Sequence, residues 1–340
     1  MNQVDALKSG PQETKGQAGR EILRVEGLTK HFPVGGGLLG RAKVVVQAVD
    51  NVSFAVSPQE TVAIVGESGS GKTTVGRVVA RLLPPTCGKV LFQGEDIASR
   101  SERELRDIRQ RIQIVFQNPN ASLNPRMTVR QLLSEPLVVH NWPKRNHEKR
   151  VLKILDTVGL PVAYVDRYPH EFSGGQKQRI AIGRALAVGP QLVVFDEPVS
   201  ALDVSIQAQI IQLLDKIQKD TGMASIFISH DLSVVRAISD SVVVLYLGKV
   251  MESGPCREIF TSPRHPYTQA LISAVPKIQA RPAEGDSRIM LKGDIPNPSD
   301  PPSGCRFRTR CWKAKDICAA KAPELTGNGG RHAVACHFPD

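Results

Sequence analysis

"EFSGGQKQRIAIGRALAVGPQLVVFDEPVSALD", Glu171 to Asp203, runs a Ser-Gly-Gly-Gln turn into a basic helix and then into an apolar stretch that ends in two carboxylates. Ser173 is suited to cap a helix beginning at Gln176, and Gly174 and Gly175 leave backbone N–H groups bare. Leu192 to Phe195 is a short apolar run of the kind that forms a buried strand, delivering Asp196 and Glu197 at its end. Either half alone is ordinary. The segment upstream gives them a common purpose.

That segment is "GESGSGKTT", Gly66 to Thr74. It fits G-x-x-x-x-G-K-[ST], follows the strand-like "TVAIV" and precedes the helical "VGRVVARLL", the setting a phosphate-binding loop requires. The backbone N–H groups of Gly66, Glu67, Ser68, Gly69, Ser70 and Gly71 can curl round phosphates, while Lys72 reaches the β and γ phosphates. The Thr73 hydroxyl would bind Mg²⁺, with Thr74 beside it in the first helical turn. Asp196 is then expected at the same sheet edge, holding the Mg²⁺ shell. Glu197 suits a general base for water attacking the γ-phosphate.

The rest of the chain supports an α/β fold. "EILRVEGLTKHF" alternates Leu23 and Val25 with Arg24 and Glu26; "KVVVQAVDNVSFAV" continues as strand, with the glycines of "VGGGLLG" as a loop between them. From about Asn124 the pattern turns helical: "HEKRVLKILDTVGL" places Val151, Ile154, Leu155 and Val158 on one face, with Gly159 as the stop. Strands return with "QLVVFDE", "ASIFISHD" and "DSVVVLYLG", alternating with helices, which implies a mainly parallel sheet. "SPRHPYTQALISAVPKI" predicts one or two short helices, and the Pro- and Gly-rich stretch after it no long element.

With 340 residues, 41% hydrophobic and a net charge of +11, the chain can bury a large core and favours anionic partners. No segment approaches the roughly eighteen apolar residues of a membrane span. Residues 1–20 are polar, lack the apolar core of a secretory signal, and read as a disordered leader. The expected location is cytoplasmic. Cys87 and Cys256 read as small buried residues; Cys305, Cys311, Cys318 and Cys336 crowd into the tail.

A chain with one phosphate-binding loop and a second bare-amide turn needs a second nucleotide from elsewhere, which points to a partner closing each turn over the other's ATP. Here the sequence resembles the ATP-binding cassette (ABC) family over nearly its whole length. By that resemblance the fold is a P-loop ABC ATPase core of mainly parallel sheet. It carries an antiparallel β subdomain, a helical signature subdomain at about 118–187 and a Cys-containing C-terminal extension. The resemblance implies a nucleotide-binding domain over 21–262 and an extension over 263–340. "FSGGQ" is its signature motif, with Phe172 where Leu is commoner, so Ser173, Gly174, Gly175 and Gln176 would face the partner's ATP. Gln117 in "IVFQNP" matches the Q-loop residue that senses Mg²⁺ and contacts membrane subunits. Asp203, closing "SALD", matches the D-loop, and His230 in "FISHD" the switch histidine at the γ-phosphate. Phe32 stands as the adenine-stacking residue, with an ordinary core Phe as the alternative.

The tail narrows the resemblance. "RHPYTQAL" (Arg264 to Leu271) and "NPNASLNPR" are similar to segments of ATPases serving dipeptide, oligopeptide and nickel importers, the F-type subunit of peptide permeases in particular. Four thiols in a cytoplasmic chain argue for metal over disulfides. Relatives imply a [4Fe–4S] cluster on Cys305, Cys311, Cys318 and Cys336, with zinc or plain reduced thiols as alternatives. Arg306, Arg308, Arg310 and Lys313 would offset thiolate charge.

The function so implied is the ATP-hydrolysing subunit of a peptide importer. It would sit peripherally on the cytoplasmic face of the membrane with a related second ATPase, two permease subunits and an extracytoplasmic peptide-binding protein. An importer of nickel, glutathione or another small solute is the near alternative. An ABC ATPase acting on nucleic acid or ribosomes is the distant one: the charge suits it, but the "RHPYTQAL" tail has no place there, and no nucleic-acid partner is expected.

Overall fold

The computed structural model describes residues 21–35, 44–275, 288–327 and 332–340. The expected leader, residues 36–40 of the expected glycine loop and the start of the Pro- and Gly-rich stretch lie outside the described residues. In chain order the first strands are β1 (Leu23–Val34), β2 (Val44–Val56), β3 (Thr61–Val65), β4 (Cys87–Phe92), β5 (Glu95–Asp96) and β6 (Ile112–Val115). They are followed by β7 (Leu192–Asp196), β8 (Ala224–Ile228), β9 (Ser241–Tyr246), β10 (Lys249–Pro255), β11 (Thr326–Gly327) and β12 (Ala333–Val334).

Two sheets result. The order β2-β1-β4-β5 is antiparallel throughout. The larger sheet runs β11-β12-β10-β9-β3-β8-β7-β6, parallel from β9 to β6 and antiparallel at the β10–β12 end. Burial explains both sequence textures. β3, β7 and β8 are buried at every residue, as parallel strands covered on both faces must be, and so read as unbroken apolar runs. β1 starts with Leu23 and Val25 inside and Arg24 outside, the alternation of a sheet with one solvated face.

Successive residues of the buried strands serve opposite faces. Ile64, Val194 and Ile226 join Val75, Val78 and Val79 of the helix Lys72–Val79 in one core. Val193, Phe195 and Phe227 join Ile210 and Leu214 of the helix Val204–Thr221 in the other. Between β6 and β7 stand the helices Pro119–Ser122, Val129–Val139, His147–Thr157 and Gly174–Leu186. Val151, Ile154, Leu155 and Val158 are all buried there, and Gly159 follows with φ +66°, ending the helix as its sequence predicts.

The parallel strands have one consequence for everything below. The chain leaves β3 at Gly66, β6 before Gln117, β7 at Glu197 and β8 before His230, so residues from four distant motifs emerge at one carboxyl edge.

Cys256 is buried, but Cys87 is exposed, contrary to expectation. It opens β4, whose first three residues all face solvent before the strand enters the core. No helix among the described residues is long and apolar enough to cross a membrane.

Candidate functional site

The loop after β3 is fixed by backbone crowding. Gly66 has φ +150°, and a Cβ there would lie 2.1 Å from the carbonyl oxygen of Leu245, so no side chain fits. Lys72 is buried and folds back on the loop, its Nζ donating to the carbonyls of Gly66 at 2.8 Å and Glu67 at 2.9 Å. Burial lowers its pKa, opposed by the nearby carboxylates Glu197, Asp196 and Glu67. Ser68 and Gly69 are exposed at the rim; Ser70 is buried, and its hydroxyl has no protein partner.

Thr73 Oγ1 donates to Asp196 Oδ1 at 2.8 Å, joining the first turn of the helix Lys72–Val79 to the end of β7. Burial raises the Asp196 pKa, and the Thr73 bond works against that rise. Two oxygen groups this close, one a desolvated carboxylate, are a donor set that fits a hard divalent cation completed by phosphate and water. Among the described residues no group of three or more His, Cys, Asp or Glu side chains is arranged to hold a metal ion as it stands.

Glu197 is the meeting point. Its Oε2 accepts from Gln117 Nε2 at 2.9 Å and lies 3.3 Å from His230 Nδ1. Its backbone sits at φ +49°, unusual for a residue with a side chain, and its N–H donates to the Ile228 carbonyl at 3.0 Å. Strain of this kind survives where surrounding bonds impose it. Ser200 adds two such bonds, donating to the Glu197 carbonyl at 3.1 Å and accepting from Gln117 at 3.3 Å. Glu197 is mostly shielded while His230 is 57% exposed, so the histidine is the member of the group open to an incoming molecule.

Ser173 and Asp203 stand apart from this cluster, with no hydrogen bond to it. Ser173 caps the helix with Gln176 in a reciprocal box, the Gln176 N–H donating to Ser173 Oγ at 3.4 Å and Gln176 Oε1 accepting from the Ser173 N–H at 3.0 Å. The helix starts at Gly174, two residues before the expected Gln176, because the cap claims Gln176 for its third position. A Cβ on Gly175 would come within 2.5 Å of Ile206, so the turn lies against the start of the helix that exposed Asp203 precedes. Phe32 is half-buried on β1, opposite Val46, with the Lys30 ammonium 5.1 Å from its ring centroid.

Residues 49–200 match the ABC transporter family, and residues 251–318 match the C-terminal region of oligopeptide/dipeptide transporters. The chain is 51% identical over 319 residues to the oligopeptide transport ATP-binding protein AppF of Bacillus subtilis (strain 168), covering 93% of this chain and 97% of that one. It belongs to the ABC transporter ATP-binding proteins. Among solved structures, the ATP-binding cassette MJ0796, a dimer bound to ADP and Pi in a post-hydrolysis state, is 30% identical with a TM-score of 0.62 over 69% of this chain and 99% of its own. CbiO1 of Clostridium perfringens, part of the transporter complex cbiONQ, is 30% identical with a TM-score of 0.62, over 72% of this chain and 92% of its own.

In this ABC transporter ATP-binding protein the four tail cysteines lie close enough for their sulfurs to act on one another's ionisation, although as they stand they do not form a metal-holding group. The Cys305 N–H donates to the Cys318 carbonyl at 2.8 Å, and Gly304 allows it: at φ +64°, a Cβ would sit 2.3 Å from that same carbonyl oxygen. Backbone N–H groups point at sulfur from two residues on, Lys313 to Cys311 and Phe338 to Cys336, both at 3.4 Å. Burial pushes the Cys305 thiol up to about 11 and raises Cys311 and Cys336, with the neighbouring sulfurs adding to the effect. The expected basic surroundings are mostly engaged elsewhere. Arg306 pairs with Asp50, Arg308 donates to the Ser303 carbonyl and Arg310 pairs with Glu67. Lys313 pairs with Asp340 yet still favours the Cys311 and Cys336 thiolates. Arg310 and Tyr267, which contact the Gly66–Thr74 loop, carry no motif signal that links them to it.

Proposed function

We propose that this cassette is the ATP-hydrolysing subunit of an importer of dipeptides or oligopeptides. The observation that carries the reading is the convergence of Gln117 and His230 on one oxygen of Glu197, beside the Thr73–Asp196 pair and Lys72. The peptide assignment is supported by the match of its C-terminal region and by the name of AppF.

In this reading residues 21–262 bind nucleotide, 118–187 form the signature subdomain and 263–340 the extension. The loop amides of Gly66–Thr74 and the Lys72 ammonium take the β and γ phosphates, Lys72 exchanging two carbonyl acceptors for anionic oxygens. Thr73, Asp196 and Gln117 hold the Mg²⁺ that supplies charge neutralisation at the phosphates. Glu197 accepts the proton of the attacking water as its oxygen bonds to phosphorus and the bond to the ADP oxygen breaks. His230 contacts the γ-phosphate, and Phe32 stacks on adenine. Ser173, Gly174, Gly175, Gln176 and Asp203 serve the ATP of a partner cassette, a related second ATPase. Two membrane permeases and an extracytoplasmic peptide-binding protein complete the assembly at the cytoplasmic face of the membrane.

Cys305, Cys311, Cys318 and Cys336 would hold a [4Fe–4S] cluster. Support comes from the donor set itself: neighbouring thiols, Cys305 and Cys318 buried and Cys311 and Cys336 half-buried, with backbone N–H groups aimed at the sulfurs of Cys311 and Cys336. These thiols would be cross-linked through the cluster, and the neighbouring amides would orient it.

The test is gentle extraction of the tagged chain from its native membranes, followed by ATP hydrolysis with the co-encoded binding protein loaded with peptides of graded length. Two permeases, a second cassette and peptide-dependent stimulation are expected. Stimulation only by nickel or another solute overturns the peptide assignment, and recovery with ribosomes or DNA overturns the importer. Iron and acid-labile sulfide in the purified complex test the cluster.

A further inference from the structure

Glu67, the second residue of the phosphate-binding loop, is held from the far end of the chain. Its backbone N–H donates to the Tyr267 hydroxyl at 2.8 Å. Its carboxylate takes both arms of the Arg310 guanidinium, at 2.6 and 3.1 Å. Neither partner belongs to the loop's own motif: Tyr267 lies in the helix Pro266–Ser273 and Arg310 between Cys305 and Cys311. Both contacts are sheltered, with the Arg310 side chain 8% exposed and Tyr267 fully buried. With Glu67 24% exposed the pair is only partly screened by solvent, and its two-pronged geometry fixes both side chains in one arrangement.

The partners are themselves braced. Tyr267 packs edge-on against Tyr246 at 4.8 Å and tilted against Phe307 at 5.2 Å, and Tyr246 meets Phe307 edge-on at 5.2 Å. Phe307 and Arg310 share the short segment framed by Cys305 and Cys311, where the Arg310 N–H donates to the Phe307 carbonyl at 3.0 Å. On the loop side, Glu67 passes its position on: its carbonyl accepts from Lys72 Nζ at 2.9 Å and from the Ser70 N–H at 3.2 Å.

We propose that Arg310 and Tyr267 are positioning residues of the phosphate-binding loop, holding Glu67 so that Lys72 and the Ser70 amide are set for triphosphate before it arrives. The cysteine-bearing tail thereby acts on nucleotide affinity and is more than a structural appendage. The inference rests on the reading that Gly66–Thr74 binds ATP. It follows from preorganisation: a loop already held in its binding conformation gives up less entropy on binding.

The experiment measures Mg²⁺-ATP dissociation constants on the full chain, with thermal unfolding of each nucleotide-free variant alongside. Tyr267→Phe removes only the hydroxyl that accepts the Glu67 N–H and keeps the aromatic packing. Arg310→Ala and Tyr267→Phe are each expected to weaken binding roughly three- to tenfold. The decisive comparison is the cycle of Glu67→Ala, Arg310→Ala and the double variant. Because the two side chains act as a unit, the double variant binds about as weakly as the weaker single one. Should Arg310→Ala not fold, the same cycle with Arg310→Lys, which keeps the charge and loses the two-armed geometry, takes its place.

Additive losses, or unchanged affinity with a lowered unfolding temperature, would mean that these contacts only fasten the tail and would overturn the proposal. Wild-type chain that binds no ATP would instead overturn the nucleotide reading, and this proposal with it.

Discussion

The side-chain amide of Gln117 donates to Glu197 Oε2 across 2.9 Å, tying the segment after β6 to the residue that follows β7. That bond aims one carboxylate oxygen of a residue whose backbone is itself held at φ +49°. A carboxylate so held can take a proton, whereas an amide in its place keeps the shape and loses the basicity. Glu197→Gln is expected to bind ATP as the wild type does and to lose turnover by about 10² or more, the scale of a positioned general base. Hydrolysis by the purified complex checks this, and wild-type-like turnover would remove Glu197 from the role.

Lys72 donates to two carbonyls within its own loop, and it is a buried cation. Burial lowers its pKa, but three acidic neighbours favour its charged form. Lys72→Ala removes a charge-assisted donor to phosphate worth about 2 kcal/mol, so ATP affinity should fall roughly thirtyfold. Titration with Mg²⁺-ATP reads the change directly; an unaltered constant would place the phosphates elsewhere.

Ser173 satisfies an N–H of the first turn of the helix Gly174–Leu186. Ser173→Ala should cost about 1 kcal/mol of stability, seen as a lower urea midpoint at unchanged slope. If the turn also closes over a partner's ATP, nucleotide-driven association of the two cassettes weakens as well. Association that survives intact would leave Ser173 a cap and nothing more.

His265 is buried, and burial holds its pKa down to about 3 from an ordinary 6.5. Its Nδ1 accepts the Tyr267 N–H at 3.0 Å, its ring lies 5.7 Å from Phe307, and its backbone N–H donates to Glu252 at 3.0 Å. The unfolded chain gains a proton at this residue below about pH 6.5, whereas the folded chain refuses it until about pH 3. Its stabilising contribution is therefore complete above 6.5 and is lost as pH falls through that window, by at most about 1.4 kcal/mol per pH unit. His265→Gln should flatten the fall of unfolding temperature between pH 6.5 and 4 relative to the wild type. An identical slope would show that His265 does not titrate on unfolding.

The sequence by itself determined what depends on neighbours along the chain. "GESGSGKTT" is recognisable as an anion cradle from its own glycines and the helix that follows. "LVVFD" needs only its apolar run to place a carboxylate at a strand end. The parallel sheet was legible too, because strands buried on both faces show unbroken apolar runs. Tertiary structure alone decided which side chains meet across elements. Its place beside Cys311 suggests that Arg310 counters thiolate charge, but it reaches Glu67, 243 positions away. An isolated Cys87 suggests a small buried residue, yet it opens a strand whose first residues face solvent. Pairings of this kind arise from the docking of separately formed elements, and such docking leaves no period or spacing in the chain for a reader to find.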